Sequence, residues 1–217
     1  MIAILDSAVS ALFGRFMKAE APSSARAARC REAERLRGAP MLPVPGGWAR
    51  GVDGRQRRVD AFQLDQRPVS NRDWLEFCQA TQAEAPPWMY RPGFDDPDQP
   101  VVGVTHGEVL EFARWAGKRL PTEIEWMRAV GEGLYPWGVS EPSRDLAVFK
   151  AKAPAPPGRP EGAGPFGHLD LTGNVWERLA DGSARGGFWG SEDPSVAQRI
   201  LLSARDCSAG IGFRCAR

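Results

Sequence analysis

The stretch Trp115-Ala116-Gly117-Lys118-Arg119-Leu120-Pro121-Thr122-Glu123-Ile124-Glu125-Trp126 contains the end of one helix, a turn, and the start of the next. Thr122 followed three residues later by Glu125 is a capping box, and it opens a short helix bearing Ile124 and Ala129. Upstream, Thr105 with Glu108 repeats the signal, and Val109, Phe112, Trp115 and Ala116 follow at helical spacing. Ser70 with Asp73 gives a third start, for a helix carrying Trp74, Phe77 and Cys78. These three short helices are the whole helical core that the pattern supports.

Around them the chain is extended and turn-rich. Met41 to Gly47 reads as an extended opening segment, Val59 to Leu64 alternates as a strand, and Ala147 to Lys150 is a further strand candidate. Ala153 to Pro165 has five prolines and three glycines in thirteen residues, so it cannot supply a ladder of donors and is expected on the surface. Short segments near Val175, Arg185 to Trp189, Ile200 to Ala204 and Gly212 to Ala216 complete the pattern. Twenty-four glycines and 19 prolines in 217 residues favour a loop-rich fold. At the front, Ile2, Leu5, Val9, Leu12, Phe13 and Phe16 recur at helical spacing. The expected organisation is therefore an amphipathic helix over 1–18, a linker over 19–40 and a body over 41–217.

Composition excludes several classes of function. A net charge of +1 provides no global field for nucleic acid. No apolar run approaches a membrane span, so membrane contact is expected only through residues 1–18. The first residues lack the basic charge of an export signal, which makes the cytoplasm the default compartment. Cysteines at 30, 78, 207 and 215 show no CxxC spacing, and His106 and His168 lie far apart, so buried free thiols are expected rather than a zinc centre.

Six motifs occur in one order: Gly46-Gly47, Val69-Ser70-Asn71, the stretch from Trp115 to Trp126, Leu171-Thr172-Gly173-Asn174-Val175-Trp176-Glu177, Arg185-Gly186-Gly187, and Gly212-Phe213-Arg214-Cys215-Ala216. Together they resemble the formylglycine-generating enzyme (sulfatase-modifying factor) family over roughly residues 41–217. The resemblance implies an α+β, loop-rich, C-type-lectin-like fold. In that family a segment after the Arg-Gly-Gly strand supplies two cysteines that bind copper(I), a soft ion suited to thiolates, and oxidise a substrate cysteine with oxygen. Counted from Arg185-Gly186-Gly187, those positions hold Ser191 and Val196, so no copper is expected. Related ergothioneine-type sulfoxide synthases add a histidine-bearing helical domain, for which the N-terminal region here is too short. Relatives acting in pyoverdine maturation also lack the copper cysteines, so missing thiols do not prove inertness.

The resemblance further implies a calcium site at Asp170, Leu171, Gly173 and Asn174, oxygen donors of the type a hard ion takes. It puts His106 in the slot of a tryptophan and His168 in that of a leucine. Trp115, Trp126 and Trp176 are expected in an aromatic core, and Arg119, Glu125, Glu177, Arg205 and Arg214 in a buried ion-pair lattice. Two functions stay open. One is a non-catalytic binding or accessory module whose surface is Phe188, Trp189, Ser191, Glu192, Asp193, Ser195 and Gln198, recognising a protein or peptide. The other is a metal-dependent oxidase or peptide- or natural-product-modifying enzyme of altered chemistry, with His168, Glu177, Ser191, Glu192 and Asp193 as candidate actors.

Overall fold

The structure is a computed structural model, and it describes residues 37–217. The expected helix over 1–18 and most of the linker lie outside the described residues. The body is anchored from its first described positions rather than from Met41. Arg37 Nη1 donates to the Trp115 carbonyl at 3.0 Å, and Ala39 is buried with its carbonyl accepting from Lys118 Nζ.

The three helices start where the capping boxes place them. They are α1 (Asn71–Thr81), α2 (His106–Trp115) and α3 (Glu123–Val130), with Ser70, Thr105 and Thr122 as N-caps, and each box is closed reciprocally. Such a cap satisfies two backbone donors that a helix start otherwise leaves unpaired. The inward faces of α1 and α2 enclose Trp74, Phe77, Phe112 and Phe213, with Trp74 stacked on Phe112 at 5.5 Å. Full burial of each such ring stabilises by roughly 1.5–3 kcal/mol, and this is where a loop-rich chain finds its cohesion. A second cluster joins Trp126 and Ala129 of α3 to Val44, Leu64, Leu171 and Leu179.

The strands are short. β1 (Met41–Val44) pairs antiparallel with β4 (Phe62–Asp65), and β2 (Gly47–Arg50) with β3 (Gln56–Val59). The strand expected over Val59 to Leu64 is thus two strands that break at Asp60-Ala61 and pair with different partners. A four-stranded sheet runs in the order β7-β6-β5-β8, from β5 (Trp176–Arg178), β6 (Ser183–Arg185), β7 (Arg199–Leu201) and β8 (Ile211–Gly212).

Ala147 to Lys150 is not a strand. Its backbone is spent on loops: the Val148 carbonyl accepts from Asn174 N, Lys150 N donates to Ser191, and Lys150 turns with φ +47°. The segment 153–165 is irregular as expected, apart from one 3-10 turn at Pro160–Gly162. Trp126 is fully buried, but Trp115 and Trp176 are only half-buried, so the aromatic core is built on Trp74 instead. Among the described residues no helix is long and apolar enough to cross a membrane.

Candidate functional site

The site is held by a buried charge cluster. Glu177 on β5 accepts from Arg214 Nε at 2.7 Å and from Trp126 Nε1 at 2.8 Å, and Arg214 Nη2 also donates to the Leu169 carbonyl at 2.7 Å. Both charges are fully buried, a situation tolerated only because each finds several partners. Burial pushes the Glu177 carboxyl upward against the pull of Arg214. The lattice expected from sequence is therefore real at Glu177 and Arg214. Arg119 and Glu125 pair at 2.6 Å nearer the surface, and Arg205 is exposed and outside it. Arg178, beside Glu177, is itself buried and donates to the carbonyls of Ser203 and Asp206, which pins the loop there.

From the end of β6 the chain turns through Gly186 and Gly187, at φ +94° and +75°. A side chain at Gly186 would lie 2.6 Å from the Leu171 carbonyl, so the close approach requires glycine. The segment Phe188 to Gln198 follows. Ser191 is buried, and its Oγ accepts from Phe188 N at 3.0 Å and donates to Gln198 Oε1 at 3.3 Å. Val196 packs into the second core cluster, and Ser195 and Pro194 are buried beside it. The two positions where the family resemblance places copper thiolates thus hold a turn-fastening hydroxyl and a core methyl pair. Glu192 and Asp193 are exposed. Glu192 lies 3.5 Å from Lys150 Nζ, and Asp193 accepts from the Tyr135 hydroxyl at 3.1 Å.

Trp189 is half-buried, with its indole N–H donating to the Ala209 carbonyl at 3.1 Å. It packs edge-on against Phe188 at 5.1 Å and against Phe94 at 6.1 Å, and Phe94 in turn lies 5.0 Å from Trp88. Arg91 covers the Trp88 ring at 4.1 Å. All four rings are partly exposed, forming one continuous aromatic row. Trp88 and Phe94 were not recognised from sequence. Two elements far apart in the chain make the row, and the available signal was the turn-flanked aromatics of Trp88 to Phe94.

Asp170, Leu171, Gly173 and Asn174 are gathered into one tight turn, with Asp170 and Asn174 at φ +51° and +57°. Asn174 Oδ1 accepts from Ala155 N at 3.0 Å, and its Nδ2 donates to the Ala155 carbonyl and to Asp170 Oδ2. Asn174 therefore fastens the proline-rich segment through both atoms of its amide. Asp170 Oδ1 is different: it is buried without a partner, and burial raises the carboxyl. An orphaned carboxylate oxygen is a donor of the type a hard cation takes, whereas the Asn174 oxygen already accepts one hydrogen bond, from Ala155 N.

The remaining candidates lie apart. His168 is buried, and neither ring nitrogen makes a hydrogen bond of good geometry, although the backbone of Leu64 and Leu42 lies close enough to favour its charged form. His106, at the start of α2, is partly exposed and its pKa is lowered by burial. Among the described cysteines Cys215 is buried, Cys78 half-buried and Cys207 exposed, so Cys207 departs from the expectation of buried thiols.

Small helices, short paired strands and a loop-held central sheet define a C-type-lectin-like domain, in which the glycine turns and the buried Glu177–Arg214 pair fix the segment Phe188 to Gln198 in place. The model of the sulfatase-modifying factor enzyme 1-like domain matches residues 26–217, and the chain belongs to that family. It is 28% identical to the formylglycine-generating enzyme of Thermomonospora curvata, over 81% of this chain and 92% of that one. It is 28% identical to the inactive C-alpha-formylglycine-generating enzyme 2 of Bos taurus, over 81% and 87%. It is 32% identical to the hercynine oxygenase of Mycolicibacterium smegmatis over 55% of this chain, but spans only 37% of that relative. In solved structures, PvdO from Pseudomonas aeruginosa superposes with a TM-score of 0.68 at 22% identity, over 85% of this chain and 96% of that one.

Proposed function

We propose that this protein is a binding or accessory module on the formylglycine-generating-enzyme fold. It recognises a protein or peptide partner through the row Trp88, Phe94, Trp189 and Phe188, and it does not oxidise cysteine. The observation that carries this reading is the use made of Ser191 and Val196. One fastens its own turn and the other fills the core, so neither side chain is presented for chemistry. An inactive relative covering most of its length supports the idea that the fold outlives the reaction. Aromatic rings with a polar margin favour recognition, since they bury large areas at low entropic cost. Asp95 and Asp96 follow Phe94 directly and are exposed, which favours a partner with basic residues.

The reading is tested with Trp189→Ala. Binding to a captured partner should weaken by about 2 kcal/mol in a pull-down titration, with the circular dichroism spectrum retained. Collapse of the spectrum would instead make Trp189 a core residue and remove the site from this surface.

Calcium is proposed as the bound ion of the Asp170 turn, held by Asp170 Oδ1 with carbonyls of Leu171 and Gly173. The unpartnered buried oxygen supports it. Calcium should raise Tm through preferential binding to the native state, and Asp170→Ala should abolish the rise. An equal rise in the variant, or none in the native protein, would refute it.

A further inference from the structure

A cavity of about 530 Å³ opens between β2, the C-terminal half of α3 and the segment around Phe166. None of the four rings of the aromatic row lines it. Its volume lies within the range of small-molecule sites. We propose that it binds a carboxylate carried on a flat apolar body, an aromatic carboxylic acid in its simplest form.

The anchor is Arg128. Its Nε donates to the Pro45 carbonyl at 3.1 Å, and its guanidinium lies 4.7 Å from the centre of the Phe166 ring. The guanidinium is also nested against the backbone of Gly47. A Cβ there would meet Nε and Nη2 at 2.8 Å, so the glycine leaves the space that the guanidinium takes. The group is thus held in one orientation by three contacts, and among the described residues no carboxylate pairs with it. A planar, preorganised and unpaired guanidinium on a cavity wall matches a carboxylate through two parallel hydrogen bonds.

The rest of the lining supplies the other half of the ligand. Trp48 on β2 is 60% exposed although it is the largest side chain of that strand, and with Met127 and Phe166 it offers an apolar wall for a flat ring. Arg50 also lines the cavity and adds positive charge, its Nη1 donating to the Gly54 carbonyl at 2.8 Å. Glu132 also lines the cavity and is the one acidic side chain in the lining. It opposes an anion, and so its removal has a defined sign.

The test is calorimetric titration of the full chain with benzoate, using benzamide as the neutral isostere. Benzoate should bind saturably, and benzamide at least about tenfold more weakly, as expected for loss of a charge-assisted pair. Arg128→Gln should abolish the preference. Gly47→Ala, which keeps every charge but fills the guanidinium's place, should also weaken benzoate, and Glu132→Gln should tighten it. Trp48→Ala removes an exposed ring that the core does not need, and it should weaken benzoate and benzamide alike. The proposal is overturned if benzoate does not bind, if it binds no better than benzamide, or if its affinity survives both Arg128→Gln and Gly47→Ala in variants that keep their circular dichroism spectrum.

Discussion

His168 is an imidazole in the protein interior, and burial, assisted by the nearby Arg214 guanidinium, lowers its pKa from 6.5 to about 4. Between those values the unfolded chain binds a proton that the folded chain refuses, so this residue removes stability as pH falls through the window, by up to about 3 kcal/mol. Asp65 acts in the opposite sense. Burial, opposed by Lys118 at 2.6 Å, raises its carboxyl from 3.8 to about 6, so its contribution shrinks as pH rises through that range. His168→Leu isolates the first effect because both proteins share Asp65. Thermal melts should show the native protein losing stability relative to the variant as pH drops from 6.5 to 4, and parallel curves would contradict this. At Glu177 the expectation is structural. Glu177→Gln leaves Arg214 a buried unpaired cation and should cost about 3–5 kcal/mol in chemical denaturation. A variant as stable as the parent would show that the pair contributes nothing to the fold.

At the scale of elements, what the sequence reveals is local. The three helix starts were readable because a capping box is contained within four residues, and all three are closed in the structure. The glycine turns and the positions of Ser191 and Val196 were readable by counting along one segment. The break at Asp60-Ala61 leaves only a faint mark, a change of apolar phase between Val59 and Phe62, and it is pairing with two different strands that divides the segment. Ala147 to Lys150 looks like a strand but donates and accepts across loops, a choice made by distant partners. The aromatic row and the Arg128 cavity were missed for the same reason: each is assembled from segments far apart in the chain. The tie between Asn174 and Ala155 spans nineteen residues and governs the proline-rich segment. Asn174→Gly keeps the left-handed backbone and deletes the tie. Amide exchange at Ala155 should accelerate in this variant while exchange in α1 and α2 is unchanged. Unaltered exchange at Ala155 would mean that the segment is held by something else.

At the scale of the whole molecule, the chain keeps the fold of its family over residues 26–217. The capped helices, the buried Glu177–Arg214 pair and the Gly186-Gly187 turn hold the domain that the family match covers to residue 217. The two positions to which the resemblance assigns the copper thiolates, Ser191 and Val196, are built into the packing. An aromatic row lies on the same segment, and recognition without oxidation is the reading that uses both facts. The most direct measurement incubates the protein with copper(I), oxygen and a peptide containing Cys-x-Pro-x-Arg, and follows the peptide by mass spectrometry. The account predicts a peptide whose cysteine keeps its mass. Turnover to the mass of formylglycine would contradict it.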